Sequence, residues 1–300
     1  MSEKVKQHKN IYLEPIVFHT LNTLFLIVLG VIMVYPLLNT LAISLNEGVD
    51  AVRGGIYLWP RKWTLRNFTS VLGITSIYYG LITSTAKTIV GVIMNIFFTL
   101  MLAYALSRRE YFLARPITLF FVLTMYFNAG LIPNFILMRD LHLTNTFTVY
   151  WLPYVISTFN LIVIRTYIRS IPESLVESAR IDGSGEFRIL FRIITPLCIP
   201  TLATIALFVA VGSWNAWFDT MLYNTRDIRL TTLQYELKKM LDSAMQTFGG
   251  APPGGDTSGQ MVTVTIRAAA TVITAIPILI VYPFLQRYFV TGLTIGSVKE

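Results

Sequence analysis

The sequence predicts an all-α membrane protein that crosses the bilayer six times. Three observations carry that prediction. Only 13% of the 300 residues are charged, against about 25% in an average soluble domain, while 54% are hydrophobic and the mean hydropathy is +0.61. Six apolar stretches approach or exceed the roughly 20 residues that a spanning helix needs. Basic residues gather in alternate connections between those stretches. The same composition excludes disordered, collagen-like, coiled-coil and disulfide-rich classes.

The first span runs from about Ile16 to Leu45. Lys4, Lys6 and Lys9 precede it in the manner of a signal peptide. Its uncharged run of about 30 residues is too long for a signal core, and no small-x-small cleavage site ends it. It is therefore expected to stay as an uncleaved span. The second span lies within Tyr78–Ser107 and is interrupted by Lys87. The third is Pro116–Met138, the fourth Thr146–Ile164, the fifth Ile193–Phe218 and the sixth Ala268–Gln286. Residues 16–290 form one transmembrane domain in this reading, with residues 1–15 and 291–300 on the cytoplasmic side.

Orientation follows from Lys and Arg in short connections. Arg108, Arg109 and Arg115 sit between spans two and three, and Arg165, Arg169, Arg180, Arg188 and Arg192 between spans four and five. With the N-terminal lysines, they place both termini in the cytoplasm. Arg61, Lys62, Lys238 and Lys239 fall in longer segments on the other side, where the rule counts less. The net charge of +8 reads as topology and attraction to anionic lipid, not as nucleic-acid binding. Cys198 is the one cysteine, and His8, His19 and His142 are scattered, so there is no internal disulfide and no metal-ligand set. Two external segments, about 46–77 and 219–264, are long enough for structure. The second contains a Gly/Pro run, Gly249–Gly259, that favours turns.

The cytoplasmic connection around residues 170–192 is the least apolar part of the membrane region. Ser170 and Glu173 have capping-box spacing, and Pro172 suits a first helical turn. Leu175, Val176 and Ala179 share one face; Glu173, Glu177 and Arg180 fall on the other. Asp182-Gly183 ends the helix, because glycine takes the left-handed conformation freely. A second helix begins near Ser184 and runs into span five. On physical grounds this knob is either a surface helix in the headgroup layer or a docking element for a cytoplasmic partner.

The spacing Glu177-Ser178-Ala179, three residues, Gly183, nine residues, Ile193, two residues, Pro196 resembles the EAA loop of ABC importer permeases. Ser178 stands where the second alanine is usual, and Thr195 where leucine is common. Trp214-Asn215, Gly130-Leu-Ile-Pro133 and Asn145-Thr146 resemble the sugar permeases of that superfamily. The resemblance covers the chain from about span two to the C-terminus. It is nearest the maltose-permease-like subunits, and among them those for complex oligosaccharides and polyuronide fragments.

The resemblance implies a type I ABC importer permease with a cytoplasmic coupling helix, in the inner membrane of a bacterium. It implies a non-catalytic subunit that translocates an oligosaccharide, acidic polysaccharide fragments within the class. The implied partners are a second six-span permease, a cytoplasmic ATPase dimer, an extracytoplasmic sugar-binding protein and membrane lipids. No cofactor belongs to this chain; ATP and Mg²⁺ sit on the ATPase, and no G-x-x-x-x-G-K-[ST] sequence occurs here. Glu173, Leu175, Val176, Glu177, Ser178, Ala179, Ile181, Asp182 and Gly183 are the implied docking set. Gly249, Gly250, Pro252, Pro253, Gly254 and Gly255 would face the binding protein.

Candidates for the translocation path are Lys87, Asn95, Asn128, Asn160, Trp214 and Asn215, with Tyr79, Tyr104, Tyr126 and Trp217 as further aromatics. Polar groups inside a membrane usually face the bundle interior, whereas aromatics also serve as interfacial belts. Lys87 would neutralise an acidic sugar, snorkel to an interface, or pair with a carboxylate of the partner permease. An ABC permease for another small solute and a secondary transporter are the alternatives. The latter would show internal repeats and embedded carboxylates, which the spans lack.

Overall fold

The computed structural model describes the backbone of residues 13–108, 110–250 and 258–295, with side chains for 18–108, 110–243 and 264–283. All regular elements among the described residues are helical. The chain divides into two compact units, one of residues 1–71 and 244–273, the other of residues 72–243 and 274–300.

The first unit opens with α1 (Leu13–Ser44). Its side chains from Phe18 to Leu38 are largely exposed, which suits a helix wrapped by lipid. A short α2 (Gly48–Ala51) and α3 (Arg66–Leu72) follow. Between them the chain folds back, with Glu47 N–H donating to the Lys62 carbonyl at 3.0 Å and Thr64 N–H to that of Leu45 at 2.9 Å. Asn46 and Arg61 both donate to Asp50 Oδ2, at 3.0 and 2.9 Å. Asn67 donates to the carbonyls of Ser44 and Asn46. These bonds satisfy backbone groups that an irregular segment otherwise leaves unpaired.

The second unit carries the core. Its elements are α4 (Thr75–Ser107), α5 (Ala114–Thr124), α6 (Leu131–Asp140), two 3₁₀ turns (Phe147–Tyr150 and Leu152–Tyr154) and α7 (Thr158–Ser170). They are followed by α8 (Ser174–Ile181), α9 (Glu186–Ile189), a π turn (Leu190–Ile194), α10 (Thr195–Asn215), α11 (Phe218–Tyr223), a 3₁₀ turn (Ile228–Leu230) and α12 (Leu233–Gly250). The long α13 (Ser258–Ile295) has Pro277 and Pro283 within it, and both α12 and α13 contribute residues to each unit, which change over after residues 243 and 273. Among the described residues four helices are long and apolar enough to cross a membrane, and the fourth predicted span is a helix pair bent by 49°.

The third predicted span is not one helix. It breaks between α5 and α6. Asn128 Oδ1 accepts the Gly130 N–H at 2.9 Å, and Gly130 takes φ 86°, a value that side-chain-bearing residues rarely adopt. A hydropathy window averages across such a turn. The fifth span instead runs without a gap from α9 to α10. Pro196 offers no N–H and its ring crowds the carbonyl one turn back. The wider π turn before it accommodates this, and the Thr195 hydroxyl donates to the Leu190 carbonyl at 2.8 Å.

The core gathers Leu100, Leu106, Leu161, Ile164, Ile168, Ile189, Ile194 and Ile205 from α4, α7, α9, the π turn and α10. In lipid, helices associate through close packing rather than loss of water, so small residues mark the contacts. A Cβ at Gly91 would lie 3.2 Å from Ser213 Oγ, and one at Gly80 only 3.0 Å from the Leu233 backbone.

Candidate functional site

Two sites emerge, both within the second unit. The first is the α8 knob. Contrary to the predicted capping box, Ser170 belongs to α7 and its hydroxyl donates to the Tyr167 carbonyl at 2.7 Å. Glu173 is the N-cap position and makes no side-chain capping bond. The stop at the other end is as expected. Gly183 has φ 75°, its N–H donates to the Arg180 carbonyl and the Ser184 N–H to that of Ala179, both at 2.9 Å. This is the paired bonding of a Schellman motif.

The helix divides its predicted docking set into two groups. Val176 and Ala179 are buried in the core, so they anchor the knob to its own chain. Leu175, Glu177, Ser178, Ile181, Asp182 and Gly183 are exposed, Ile181 to 86%. Arg180 does not point outward with Glu177. Its guanidinium reaches Glu110 Oε1 at 2.6 Å and Glu186 Oε1 at 2.9 Å. Glu186 also accepts from the Tyr104 hydroxyl, and Arg108 lies over the Tyr104 ring at 4.5 Å. The knob is thereby tied to α4, α9 and the α4–α5 connection.

The second site is a cavity of about 430 Å³ whose lining includes Lys87, Asn95, Tyr150, Tyr154, Asn160 and Asp219. From α4 it takes Lys87 and Asn95, which share one helix face with Gly80, Ser84 and Gly91, each three or four residues from the next. Ile82, Ile89, Ile93 and Phe97 fall on the exposed side. Lys87 is fully buried and its ammonium donates to Asp219 Oδ2 at 2.6 Å and to the Ala216 carbonyl at 3.2 Å. The Tyr150 ring centroid is 4.8 Å away. Asn160 Nδ2 donates to Asn95 Oδ1 at 3.0 Å, and Asn95 Nδ2 to the Tyr154 carbonyl at 2.9 Å. Around this centre Tyr150 OH donates to the Leu230 carbonyl and lies 3.1 Å from the Thr220 hydroxyl.

Three path candidates, Lys87, Asn95 and Asn160, thus converge. The others do not. Trp214 is buried with its indole N–H on the Thr274 carbonyl at 3.0 Å, which fastens α10 to α13. Asn215 accepts from Gln234, and Asn128 makes the turn at Gly130. Tyr104 serves the Arg180 cluster, Tyr126 is exposed at the α5–α6 break, and Lys238 lies over the Trp217 ring at 5.4 Å. Tyr79 is half-buried. Lys87 neither snorkels nor waits for another subunit, because its counter-ion is Asp219 of the same chain. Asp219 lies just beyond span five, and sequence reading counted it with the external segment. The small-and-polar stripe on α4 was the signal for the packed face that carries Lys87 and Asn95. Gly249 and Gly250 close α12, while Pro252, Pro253, Gly254 and Gly255 lie outside the described residues.

A multi-span helical chain with a cavity that holds an ion pair and two amides, and with a protruding helical knob, fits a membrane transport component. The family comparison makes this specific. The model for the "binding-protein-dependent transport system inner membrane component" family matches residues 14–295, so the chain belongs to that family. It is a permease component rather than an enzyme. The polygalacturonan/rhamnogalacturonan transport system permease YtcP of Bacillus subtilis (strain 168) is 34% identical over 92% of this chain and 96% of its own. The arabinooligosaccharides transport system permease AraQ of Halalkalibacterium halodurans is 32% identical, covering 89% and 92%. Among solved structures, a bacterial ABC transporter involved in the import of the acidic polysaccharide alginate matches with a TM-score of 0.81 and 30% identity, over 91% of this chain and 96% of that one.

Proposed function

We propose that the chain is one of two six-span permease subunits of a bacterial ABC importer, and that it translocates oligosaccharides cut from an acidic polysaccharide. Both termini are cytoplasmic. A separate ATPase dimer, holding ATP and Mg²⁺, supplies the energy, and an extracytoplasmic binding protein delivers the sugar and meets the Gly249–Gly255 segment. The polymers named for two similar proteins, polygalacturonan and alginate, are built from uronic acids. A cavity of about 430 Å³ with amide and hydroxyl groups suits one sugar ring, within the roughly 300–1,000 Å³ usual for ligand sites.

The observation that carries this reading is the knob. α8 is anchored from below by Val176 and Ala179 and presents Leu175, Glu177 and Ile181 outward. An exposed apolar residue beside a carboxylate fits a groove with a basic group, where Glu177 forms a charge-assisted hydrogen bond. ATPase closure then pushes on α8, and its ion pairs pass the push to α9 and to the α4–α5 connection. The experiment is Glu177→Lys in the complete importer. Membrane insertion and basal ATP hydrolysis persist while uptake is lost. Unchanged uptake would refute the docking role.

A further inference from the structure

We propose that Lys87 is a transient binding position for the carboxylate of an acidic sugar, and that Asp219 is its built-in competitor. This rests on the reading of the substrate as an acidic oligosaccharide and assigns the residue pair that would meet its charge.

The pair is costly as a strut and redundant in that role. Burying two charges carries a desolvation penalty that their attraction only partly offsets. Yet α4 is already fastened to the segment after α10 by neutral bonds. Ser84 Oγ accepts the Leu233 N–H at 2.9 Å, and Thr83 donates to the Arg229 carbonyl at 2.7 Å. Neither bond needs a charge. The ion pair instead lines the cavity, beside the Asn95–Asn160 amide pair that offers hydrogen bonds to hydroxyl groups.

The valences at the pair leave room for a ligand. An ammonium has three protons. Asp219 and the Ala216 carbonyl accept from two; among the described residues no oxygen accepts from the third, and the Tyr150 ring centroid stands 4.8 Å from the nitrogen. Asp219 keeps a second bond of its own, since Oδ1 accepts the Thr220 N–H at 2.9 Å. A carboxylate that enters the cavity therefore accepts a hydrogen bond from the third N–H, in place of the Tyr150 ring contact, and shares the ammonium with Asp219.

Sharing sets the strength. A lone ammonium in a medium of low dielectric would hold an anion so strongly that it could not leave, and passage requires binding weak enough for release. With Asp219 in place the site is neutral overall, and each new carboxylate binds Lys87 against an existing one. The two halves of the pair thus act on an acidic ligand with opposite sign.

The test uses the whole importer, purified with an ATPase subunit that binds but does not hydrolyse ATP. Equilibrium binding is measured for an oligogalacturonide and for its fully methyl-esterified, uncharged form. Lys87→Gln weakens binding of the acid roughly tenfold, the scale of one lost charge-assisted hydrogen bond, and leaves the ester unchanged. Asp219→Asn tightens binding of the acid and leaves the ester unchanged. The double variant Lys87→Gln/Asp219→Asn buries no charge, so it folds even where a single variant does not, and it binds acid and ester alike. Variants that weaken both forms equally, or a double variant that still prefers the acid, overturn the proposal. Uptake by the wild-type importer separates the two levels. If it imports oligogalacturonides while the variants fail to discriminate, only this inference falls. If it neither binds nor imports them, the substrate reading falls with it.

Discussion

Replacing Gly183 by a graded series tests whether the shape of the knob transmits force. Gly183 has φ 75°, and a Cβ built there would meet nothing within 4 Å. The cost of a side chain is therefore local backbone strain and not collision with neighbours. For alanine that strain is about 1–2 kcal/mol, which shifts the balance away from the native turn by roughly 5–30-fold. Asparagine tolerates the left-handed region better, so it costs less. Proline fixes φ near −65°, opposite in sign, and also deletes the N–H that donates to the Arg180 carbonyl at 2.9 Å. The expected order of uptake is Gly, then Asn, then Ala, then Pro, with Gly183→Pro inactive. The assay is ATP-driven uptake into proteoliposomes carrying the complete importer, with ATP hydrolysis followed in parallel. Uptake should fall further than hydrolysis at each step. Wild-type uptake by Gly183→Pro, or an order unrelated to tolerance of positive φ, would refute the reasoning.

Two other predictions concern charge networks. Arg180→Ala removes partly exposed ion pairs to Glu110 and Glu186, so thermal unfolding should show a loss of only about 1 kcal/mol, while uptake per ATP hydrolysed falls clearly. Equal coupling in that variant would mean that the cluster is not part of the transmission. In the first unit, Asn46 donates to Asp50 and, against the opposing effect of burial, it and Arg61 hold that carboxyl below its ordinary range. A depressed folded value means that this constraint is intact above the ordinary carboxylate range and is lost as pH falls through the folded value. Fluorescence of Trp59 and Trp63 should stay flat from neutral pH down to that range and change only beyond it. A transition near neutral pH, or the same acid transition in Asp50→Asn, would contradict this.

Much of the fold was legible in the sequence because a span is a local property. α1, α4, α10 and α13 fall where apolar runs of sufficient length occur. The Gly183 stop was equally local, since one residue sets it. What was missed depends on contacts distant in sequence or on small departures from regular geometry. The break at Gly130 falls inside an apolar run, and a hydropathy window averages across it. Lys87 pairs with Asp219, 132 residues away, across a fold that no local window contains. Arg180 has the spacing of an outward residue, yet it turns to Glu110 and Glu186 because both carboxylates lie within reach. Trp214 looked like a path residue by its neighbour Asn215, but its indole N–H found the Thr274 carbonyl. The small-and-polar face of α4 is the exception: its spacing was present in the sequence and marks the packed side that carries Lys87 and Asn95.

The central claim is that this permease moves an acidic oligosaccharide with energy delivered through α8. The most direct measurement is uptake of a labelled oligogalacturonide into proteoliposomes that hold the complete importer. The account predicts uptake that requires the binding protein, ATP and the ATPase subunits together, and that disappears with Glu177→Lys. Uptake driven by an ion gradient without ATP, or uptake that survives removal of the ATPase subunits, would contradict it.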